Sequence, residues 1–279
     1  MTDTLLEVSD LSKHYGGLAA VRDLSFTVAR GQIFGIAGPN GAGKTTLFDA
    51  ISGHVRATSG TVTLEGRRIE HLPAHGIVQL GLARTYQIPA VFPGQTVLAN
   101  AVVGAEFGHR PRLLSTLGFA PSIVDRARAS LDFVGLGDRE TENAGRLSVF
   151  DTKRLMIASA LATEPRLMLF DEPVGGLNAT EISAIVELIR RIRESGVTVL
   201  LIEHVMTALM SLSDRVMIMN HGAKLYEGTP AEVATDAEVV RVYLGTESTA
   251  VAEMAGARLD ATAIADADAP AAADGEGAA

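Results

Sequence analysis

The chain has 279 residues, 47% of them hydrophobic and 20% charged, which is enough for one large domain or two small ones with a substantial core. It has no cysteine, so disulfides, thiolate metal sites and thiol catalysis are excluded. The formal net charge is −9, with most of the excess in residues 246–279, so nothing indicates a broad nucleic-acid-binding surface.

The first half of the chain combines strand patterns with glycine-rich turns. Residues 5–37 read as strands, and the last of them is a continuous apolar run that leads into a glycine-rich turn. A helix is predicted to begin near Lys44. Apolar residues at helical spacing predict a mainly helical region over about residues 88–165, interrupted by an irregular insert at 108–122 that contains Gly and Pro.

The second half carries the pattern of a parallel sheet. Residues 167–170 and 197–202 are continuous apolar runs of strand length, as expected for strands buried on both faces. Residues 181–194 between them have an apolar helical face, and residues 216–226 read as a hairpin. The order of elements predicts an α/β fold.

Two ends of the chain have no place in this pattern. After residue 245 the composition is acidic, rich in Ala and poor in large apolar residues, so residues 246–279 are predicted to be a disordered tail outside a domain of residues 1–245. No apolar run approaches the roughly 18–20 residues that span a bilayer. The first ten residues lack the features of a secretory signal, and we expect a cytosolic or cytoplasmic-face peripheral protein.

A glycine-rich run after the buried strand has the spacing of a phosphate loop. Successive backbone N–H groups of such a loop can wrap a phosphate, and the following helix N-terminus adds a favourable dipole. We expect Lys44 to reach the β- and γ-phosphates of a nucleotide and Thr45 to ligate Mg²⁺. The alternative is a turn that only connects a strand to a helix. The run consists of Gly38, Pro39, Asn40, Gly41, Ala42, Gly43, Lys44, Thr45 and Thr46.

Acidic residues and a histidine follow two of the predicted parallel strands. Asp171 and Glu172 end the run at 167–172, and His204 follows the run at 197–202. Ligands of open α/β sheets bind beyond the carboxyl ends of the strands. We expect Asp171 to be the Mg²⁺ partner, Glu172 to accept a proton from an attacking water, and His204 to hydrogen-bond a γ-phosphate.

The roles of Gln87 and Tyr15 stay open at this level. Gln87 lies where the predicted sheet gives way to the helical region, so its amide could touch Mg²⁺ or the attacking water. Tyr15 could stack on an adenine, and it could equally be a core or surface tyrosine.

These residues, in this order, resemble the ATP-binding-cassette (ABC) ATPase family over about residues 5–245. The resemblance identifies Tyr15 as the A-loop, residues 38–46 as Walker A, Gln87 as the Q-loop, residues 147–151 as the signature, residues 167–172 as Walker B, residues 175–178 as the D-loop and His204 as the switch histidine. It implies a P-loop NTPase cassette with a RecA-like core, an antiparallel β subdomain and a helical subdomain near residues 88–165.

The resemblance also implies the ligands and partners. ATP and Mg²⁺ would bind Walker A, and Glu172, His204 and Gln87 would act in hydrolysis. Ser148 of the signature would contact the nucleotide of a second cassette in a dimer. The chain most resembles the larger ATP-binding subunits of branched-chain amino-acid importers, on five short motifs: residues 176–178, 202–204, 213–215, 227–230 and 242–245. That likeness implies two integral membrane permeases, an indirect link to a solute-binding protein, and a peripheral location at the cytoplasmic face of the inner membrane.

The signature departs from the family pattern. The family carries a glycine two residues after the serine and then usually Gln, whereas this chain has Phe150 and Asp151. Phe150 adds bulk where backbone approaches a phosphate, and we expect Asp151 to place an unpaired negative charge beside it. The sequence therefore favours a heterodimer with a second ABC ATPase whose signature is intact.

Three alternatives remain. Close relatives of this subfamily serve urea, amides and lipopolysaccharide export. A non-transport ABC protein usually has two cassettes, a coiled-coil insert or a basic surface, none of which this sequence shows. A non-hydrolysing regulatory binder disagrees with the intact Glu172 and His204.

Overall fold

The computed structural model describes residues 3–88, 90–108 and 121–244. The predicted tail at 246–279 and most of the predicted insert at 108–122 lie outside these ranges. In chain order the elements are β1 Thr4–Tyr15, β2 Leu18–Ala29, β3 Ile33–Ala37, α1 Lys44–Ile51, β4 Ser59–Leu64, β5 Arg67–Arg68, α2 Ala74–Val78, β6 Leu82–Arg84, α3 Val97–Phe107, α4 Pro121–Val134, α5 Val149–Leu161, β7 Leu167–Asp171, α6 Ala179–Glu194, β8 Thr198–Ile202, α7 Met206–Leu212, β9 Arg215–Asn220, β10 Ala223–Gly228, α8 Pro230–Thr235 and α9 Ala237–Leu244.

A six-stranded sheet in the order β10-β9-β3-β8-β7-β6 forms the centre of the molecule. Strands β9, β3, β8, β7 and β6 are parallel neighbours, and β10 pairs with β9 as the predicted antiparallel hairpin. Every residue of β3, β7 and β8 is buried, which explains their unbroken apolar runs. The carboxyl ends of these strands meet at one edge of the sheet.

A second, antiparallel sheet in the order β2-β1-β4-β5 covers one side of this core. Buried apolar side chains of β1 and β2 pack with α1 and one face of the central sheet. The rings of Phe26 and Phe34 stack there with centroids 5.3 Å apart. This sheet thereby buttresses the helix that follows the phosphate loop.

The predicted helical region contains α3, α4 and α5, whose buried side chains join the other hydrophobic cluster of the core. Helices α3 and α5 touch at Gly104, where an added Cβ would overlap the carbonyl oxygen of Ser159. Helix α5 begins at Val149, immediately after Ser148, which caps it by accepting a hydrogen bond from the backbone N–H of Asp151. The signature segment is therefore the first turn of a packed helix.

No helix in the described ranges is both long and apolar enough to cross a bilayer.

Candidate active site

The phosphate loop connects β3 to α1 and requires its glycines. Gly41 and Gly43 have φ of +79° and +96°, in the left-handed region that side chains other than glycine rarely adopt. A Cβ on Gly43 would also overlap the carbonyl oxygen of Ala20, and one on Gly38 would overlap that of Met219. The loop is therefore wedged against strands β2 and β9, with the N-terminal N–H groups of α1 directly after it.

Lys44 is drawn into this loop. Its ammonium donates hydrogen bonds to the carbonyl oxygens of Gly38 at 2.6 Å and Pro39 at 3.1 Å. Burial lowers the pKa of Lys44, while the negative charges of Glu172 and Asp171 act in the opposite direction. A cation held this way is available to a phosphate bound by the loop.

A cleft of about 560 Å³ runs along the loop and brings most of the predicted residues together. Tyr15 lies at this cleft with 48% of its surface exposed, and the Lys13 ammonium lies 4.8 Å from the centre of its ring. The cleft is lined by Tyr15, Leu18, Ala19, Ala20, Asn40, Gly41, Ala42, Gly43, Lys44, Thr45, Thr46, Gln87, Glu172 and His221. His221 was not singled out by its sequence, since its turn reaches the cleft only through the β9–β10 hairpin.

Glu172 is the meeting point of Gln87 and His204. The Gln87 amide donates to Glu172 Oε2 at 2.6 Å, and His204 Nδ1 lies 3.5 Å from the same oxygen. The strand β7 ends at Asp171, so the expectation that both acids end the strand is wrong for Glu172. Glu172 has φ of +50°, a left-handed conformation that turns the chain away from the strand.

Asp171 is paired with an arginine that sequence reasoning missed. The Arg84 guanidinium donates to Asp171 Oδ2 at 2.8 Å and to Asp49 Oδ1 at 2.7 Å. The Arg84 and Asp171 side chains are only 4% and 5% exposed. Burial raises the pKa of Asp171, against the lowering effect of the Arg84 hydrogen bond and charge. Arg84 precedes Gln87 by three residues, but its partners lie far away in the sequence.

The signature differs from its prediction in two respects. Asp151 is not unpaired, because it accepts hydrogen bonds from Arg139 at 2.6 Å, Arg154 at 2.9 Å and the Ser148 hydroxyl at 2.9 Å. Burial alone would raise the pKa of Asp151, but these hydrogen bonds lower it below the ordinary value. The expected repulsion by a free charge is therefore wrong.

Phe150 is also placed differently from the expectation. Its side chain is half-buried and packs against the core, with the Arg154 guanidinium 5.2 Å from the ring centre. Val149, the preceding residue, is 58% exposed. The apolar bulk that the first turn of α5 presents to its surroundings therefore comes mainly from Val149, while Phe150 anchors the helix.

Two buried ionisable residues at the site were likewise not predicted. Lys153 of α5 donates to the carbonyl oxygen of Glu172 at 3.2 Å. Glu203, fully buried after β8, accepts from the backbone N–H of Val174 at 2.9 Å and of His204 at 3.1 Å. An acidic residue directly after a wholly apolar strand was the available signal for Glu203, whereas Lys153 has the ordinary look of a helical lysine.

Two family models match segments of this chain. The model described as "ABC transporter" matches residues 21–175, which include the phosphate loop, Gln87 and Glu172. A second model, described as "Branched-chain amino acid ATP-binding cassette transporter", matches residues 224–249.

The match to similar curated proteins extends over nearly the whole length of each of them. The high-affinity branched-chain amino acid transport ATP-binding protein LivG of Salmonella typhimurium is 38% identical over 88% of this chain and 99% of its own. BraF of Pseudomonas aeruginosa, with the same description, is 36% identical over the same shares. The lipopolysaccharide export system ATP-binding protein LptB of Acidithiobacillus ferridurans is 34% identical over 87% and 98%.

Solved structures share the fold over the same length. The ADP conformation of an ATP-binding cassette of an ABC transporter superposes with a TM-score of 0.80 at 29% identity, covering 88% of this chain and 100% of that one. A nucleotide-free cassette gives a TM-score of 0.79 at 28% identity, covering 86% and 98%.

Proposed function

The chain belongs to the ABC transporter family, and we propose that it is the ATP-binding and ATP-hydrolysing subunit of an importer for branched-chain amino acids or related small polar solutes. One observation carries the proposal. The Glu172 carboxylate lies in the same cleft as the phosphate loop and is contacted by both Gln87 and His204.

Nucleotide binding is assigned to residues 38–46 and Tyr15. Gly41 and Gly43 line the cleft in left-handed conformations without a side chain to keep a phosphate from their backbone, and the Lys44 ammonium lies beside them. Tyr15 offers a half-exposed ring at the cleft, where a base can stack. A loop that favours anions suits the triphosphate of ATP, and the exposed ring beside it suits the adenine.

The oxygen donors of Thr45, Gln87 and Asp171 suit Mg²⁺, a hard cation that prefers hydroxyl, amide and carboxylate oxygens. With the Gln87 amide nitrogen engaged by Glu172, its oxygen is left for another partner. The Arg84 contact takes Asp171 Oδ2, so its other oxygen remains for the ion or its water. Bound there, Mg²⁺ would neutralise charge on the β- and γ-phosphates.

The hydrolytic step is assigned to Glu172 as the acceptor of a proton from water. Gln87 donates a hydrogen bond to the Glu172 carboxylate and so orients it. His204, which follows the end of β8, lies beside the same carboxylate oxygen. His204 can turn its exposed ring toward a γ-phosphate, where an N–H donor stabilises developing charge. Lys44 adds the fixed positive charge on the phosphates.

A test compares Glu172→Gln with the unaltered chain in the complex purified through a tag on this chain. We expect ATP hydrolysis to fall by at least about a hundredfold while ATP affinity stays within about threefold, because the amide keeps the shape and loses the base. Co-purification of integral membrane subunits and ATP-dependent uptake of leucine, isoleucine or valine into vesicles would support the importer. Retained turnover in Glu172→Gln would exclude the assigned base.

The transported solute is argued from relatives and one segment of sequence. Residues 224–249 match a model specific to branched-chain amino acid cassettes, and LivG and BraF have that description. This favours amino-acid import over the export system of the 34%-identical LptB.

Partners follow from the same family. Permease docking near the Q-loop is supported by two exposed apolar side chains, Ile88 at 79% and Phe92 at 55% exposed. Two integral membrane subunits covering this patch would hold the chain at the cytoplasmic face of the inner membrane. A solute-binding protein would act on their other side.

The second cassette is proposed to be a different chain. In a cassette dimer the signature of one chain completes the site of the other, and here the Ser148 hydroxyl is engaged by Asp151 as both donor and acceptor. Val149 adds exposed bulk in the same turn. We therefore attribute the impaired signature to the engaged Ser148 hydroxyl and to the absence of glycine in the turn that follows it. The charge of Asp151 does not contribute, because Arg139 and Arg154 neutralise it.

The variant Val149→Gly, Asp151→Gln tests this asymmetry in the purified chain alone, and it keeps Phe150, which anchors α5. We expect weak, non-cooperative ATPase activity before the change and at least about tenfold more after it, since a Ser148 hydroxyl proton released from the Asp151 carboxylate adds about one charge-assisted hydrogen bond to a phosphate. Strong cooperative hydrolysis by the unaltered chain alone would contradict the heterodimer.

A further inference from the structure

The backbone of Glu172 is held in a conformation that its residue type disfavours. Its φ is +50°, and such left-handed geometry costs a non-glycine residue energy that the surroundings must offset. Directly before it the chain is fixed to β8, because the Glu172 N–H donates to the carbonyl oxygen of Ile202 at 2.9 Å.

Lys153 supplies the first of two holds. Its ammonium reaches from the signature helix α5 to the carbonyl oxygen of Glu172 at 3.2 Å, and the residue is 8% exposed. Burial lowers the pKa of Lys153, and the negative charges of Glu203 and Glu172 oppose this. The same carbonyl oxygen accepts a second hydrogen bond, from the Gly175 N–H at 3.3 Å, but Lys153 is the charged donor, and moving a buried ammonium away from its acceptor is costly.

Glu203 supplies the second hold, two residues further along the same segment. Its carboxylate has no exposed surface and accepts from the Val174 N–H at 2.9 Å. The other oxygen accepts from the His204 N–H at 3.1 Å and the Val205 N–H at 3.4 Å. One buried carboxylate thus joins the segment after Glu172 to the segment that carries His204.

We propose that Lys153 and Glu203 are positioning residues that together hold the left-handed turn at Glu172, and so aim its carboxylate at the site shared with Gln87 and His204. Neither residue lines the nucleotide cleft, so each acts through the backbone of its neighbours. The inference rests on the proposed role of Glu172. It further makes the position of the base depend on the signature helix of the same chain, through Lys153.

The test measures kcat and KM for ATP in the complex purified through this chain. Lys153→Met removes the ammonium and keeps most of the stem. We expect kcat to fall tenfold to a hundredfold, as about a 1 Å misplacement of a catalytic group can cause, with KM within twofold. Lys153→Arg can still donate to the carbonyl oxygen, and we expect it to recover at least half of kcat.

Glu203→Gln is the second variant and changes almost no volume. Its amide oxygen can serve Val174, but the NH₂ group then faces two backbone donors, so we expect a similar loss of kcat alone. The double variant with Lys153→Met should lose much less than the product of the single losses, because both act on one turn. Thermal unfolding checks that each variant is folded. If Lys153→Met is not folded, the kcat values of Glu203→Gln and Lys153→Arg test the inference instead.

Lys224→Met is the matched control, since Lys224 also donates to a backbone carbonyl oxygen, that of Ser25 at 2.8 Å, but on the surface away from the cleft. We expect its kcat to stay within twofold. An unchanged kcat in folded Lys153→Met, a loss confined to KM, or fully multiplicative losses in the double variant would overturn the inference. Glu172→Gln in the same assay distinguishes failure of this inference from failure of the proposed function. Retained turnover in Glu172→Gln would refute the role of Glu172 as the base, whatever the result for Lys153→Met.

Discussion

Replacing Arg84 by Met would test the charge arrangement behind the Walker B strand. The guanidinium is 4% exposed and bridges Asp49 and Asp171 at 2.7 and 2.8 Å. Met fills a similar volume between the rings of Phe48 and Tyr86, which lie 5.5 and 5.0 Å from the Arg84 guanidinium. The change therefore removes a buried cation with little loss of packing.

The magnitude follows from what is left behind. Asp49 is 30% exposed and can be solvated, whereas Asp171 is 5% exposed and loses its counter-charge. Breaking a buried ion pair by removing one partner costs about 3–5 kcal/mol of unfolding free energy. At roughly 2–4 °C per kcal/mol for a chain of this size, the melting temperature should fall by about 10 °C.

The loss of unfolding free energy in Arg84→Met should depend on pH in a defined direction. Burial already raises the pKa of Asp171, and losing Arg84 removes the groups that oppose this rise. An acid whose pKa is higher in the folded than in the unfolded chain takes up its proton more readily when folded. The deficit of Arg84→Met should therefore be largest at neutral pH and shrink as the pH falls toward 5.

Thermal and urea unfolding of Arg84→Met, Asp171→Asn and the double variant measure these free energies. The double variant should regain at least half of the loss in Arg84→Met, since it no longer buries an unpaired charge. A loss below about 1 kcal/mol, as for a surface pair, or a double variant no more stable than Arg84→Met, would refute the reasoning.

Three further changes have defined outcomes. Asp151→Asn should cost about 1–2 kcal/mol in urea unfolding. Because Arg139 helps hold the pKa of Asp151 below its ordinary value, that difference should persist from pH 8 to 5 and fade only as the pH drops below about 4. Gly43→Ala, whose Cβ would overlap the Ala20 carbonyl, should weaken ATP binding at least about tenfold in a nucleotide titration and lower the melting temperature. Lys44→Met should lose about ten- to a hundredfold in ATP affinity in the same titration. Its melting temperature should change little, because relief from burying a charge offsets the loss of the hydrogen bonds to the Gly38 and Pro39 carbonyl oxygens.

The phosphate loop was predictable because its determinants are local. Glycines at fixed spacing, a buried strand before and a helix after are all contained in residues 32–51, and α1 begins at Lys44 as predicted. The placement of Glu172 and His204 side by side was predictable for a related reason. Each follows an apolar run, and parallel strands bring their carboxyl ends to one edge.

The partners of these residues could not be predicted, since they come from distant segments. Arg84 meets Asp171 across 87 residues, and Lys153 meets Glu172 from helix α5. Asp151 was misjudged for the same reason. Its neutralising contact with Arg139 depends on how the turn before α5 folds back, which no local pattern encodes.

The short edge strand β6 has a structural consequence. It pairs with β7 over only three residues, Leu82–Arg84, and runs directly into the exposed loop that carries Gln87. Two different contacts follow each other along this segment: a hydrogen bond from the Gln87 amide to Glu172, and behind it the ion pair of Arg84 with Asp171. The proposed base is therefore tied to the exposed loop through a neutral amide, whereas a buried ion pair fixes the end of the strand behind it.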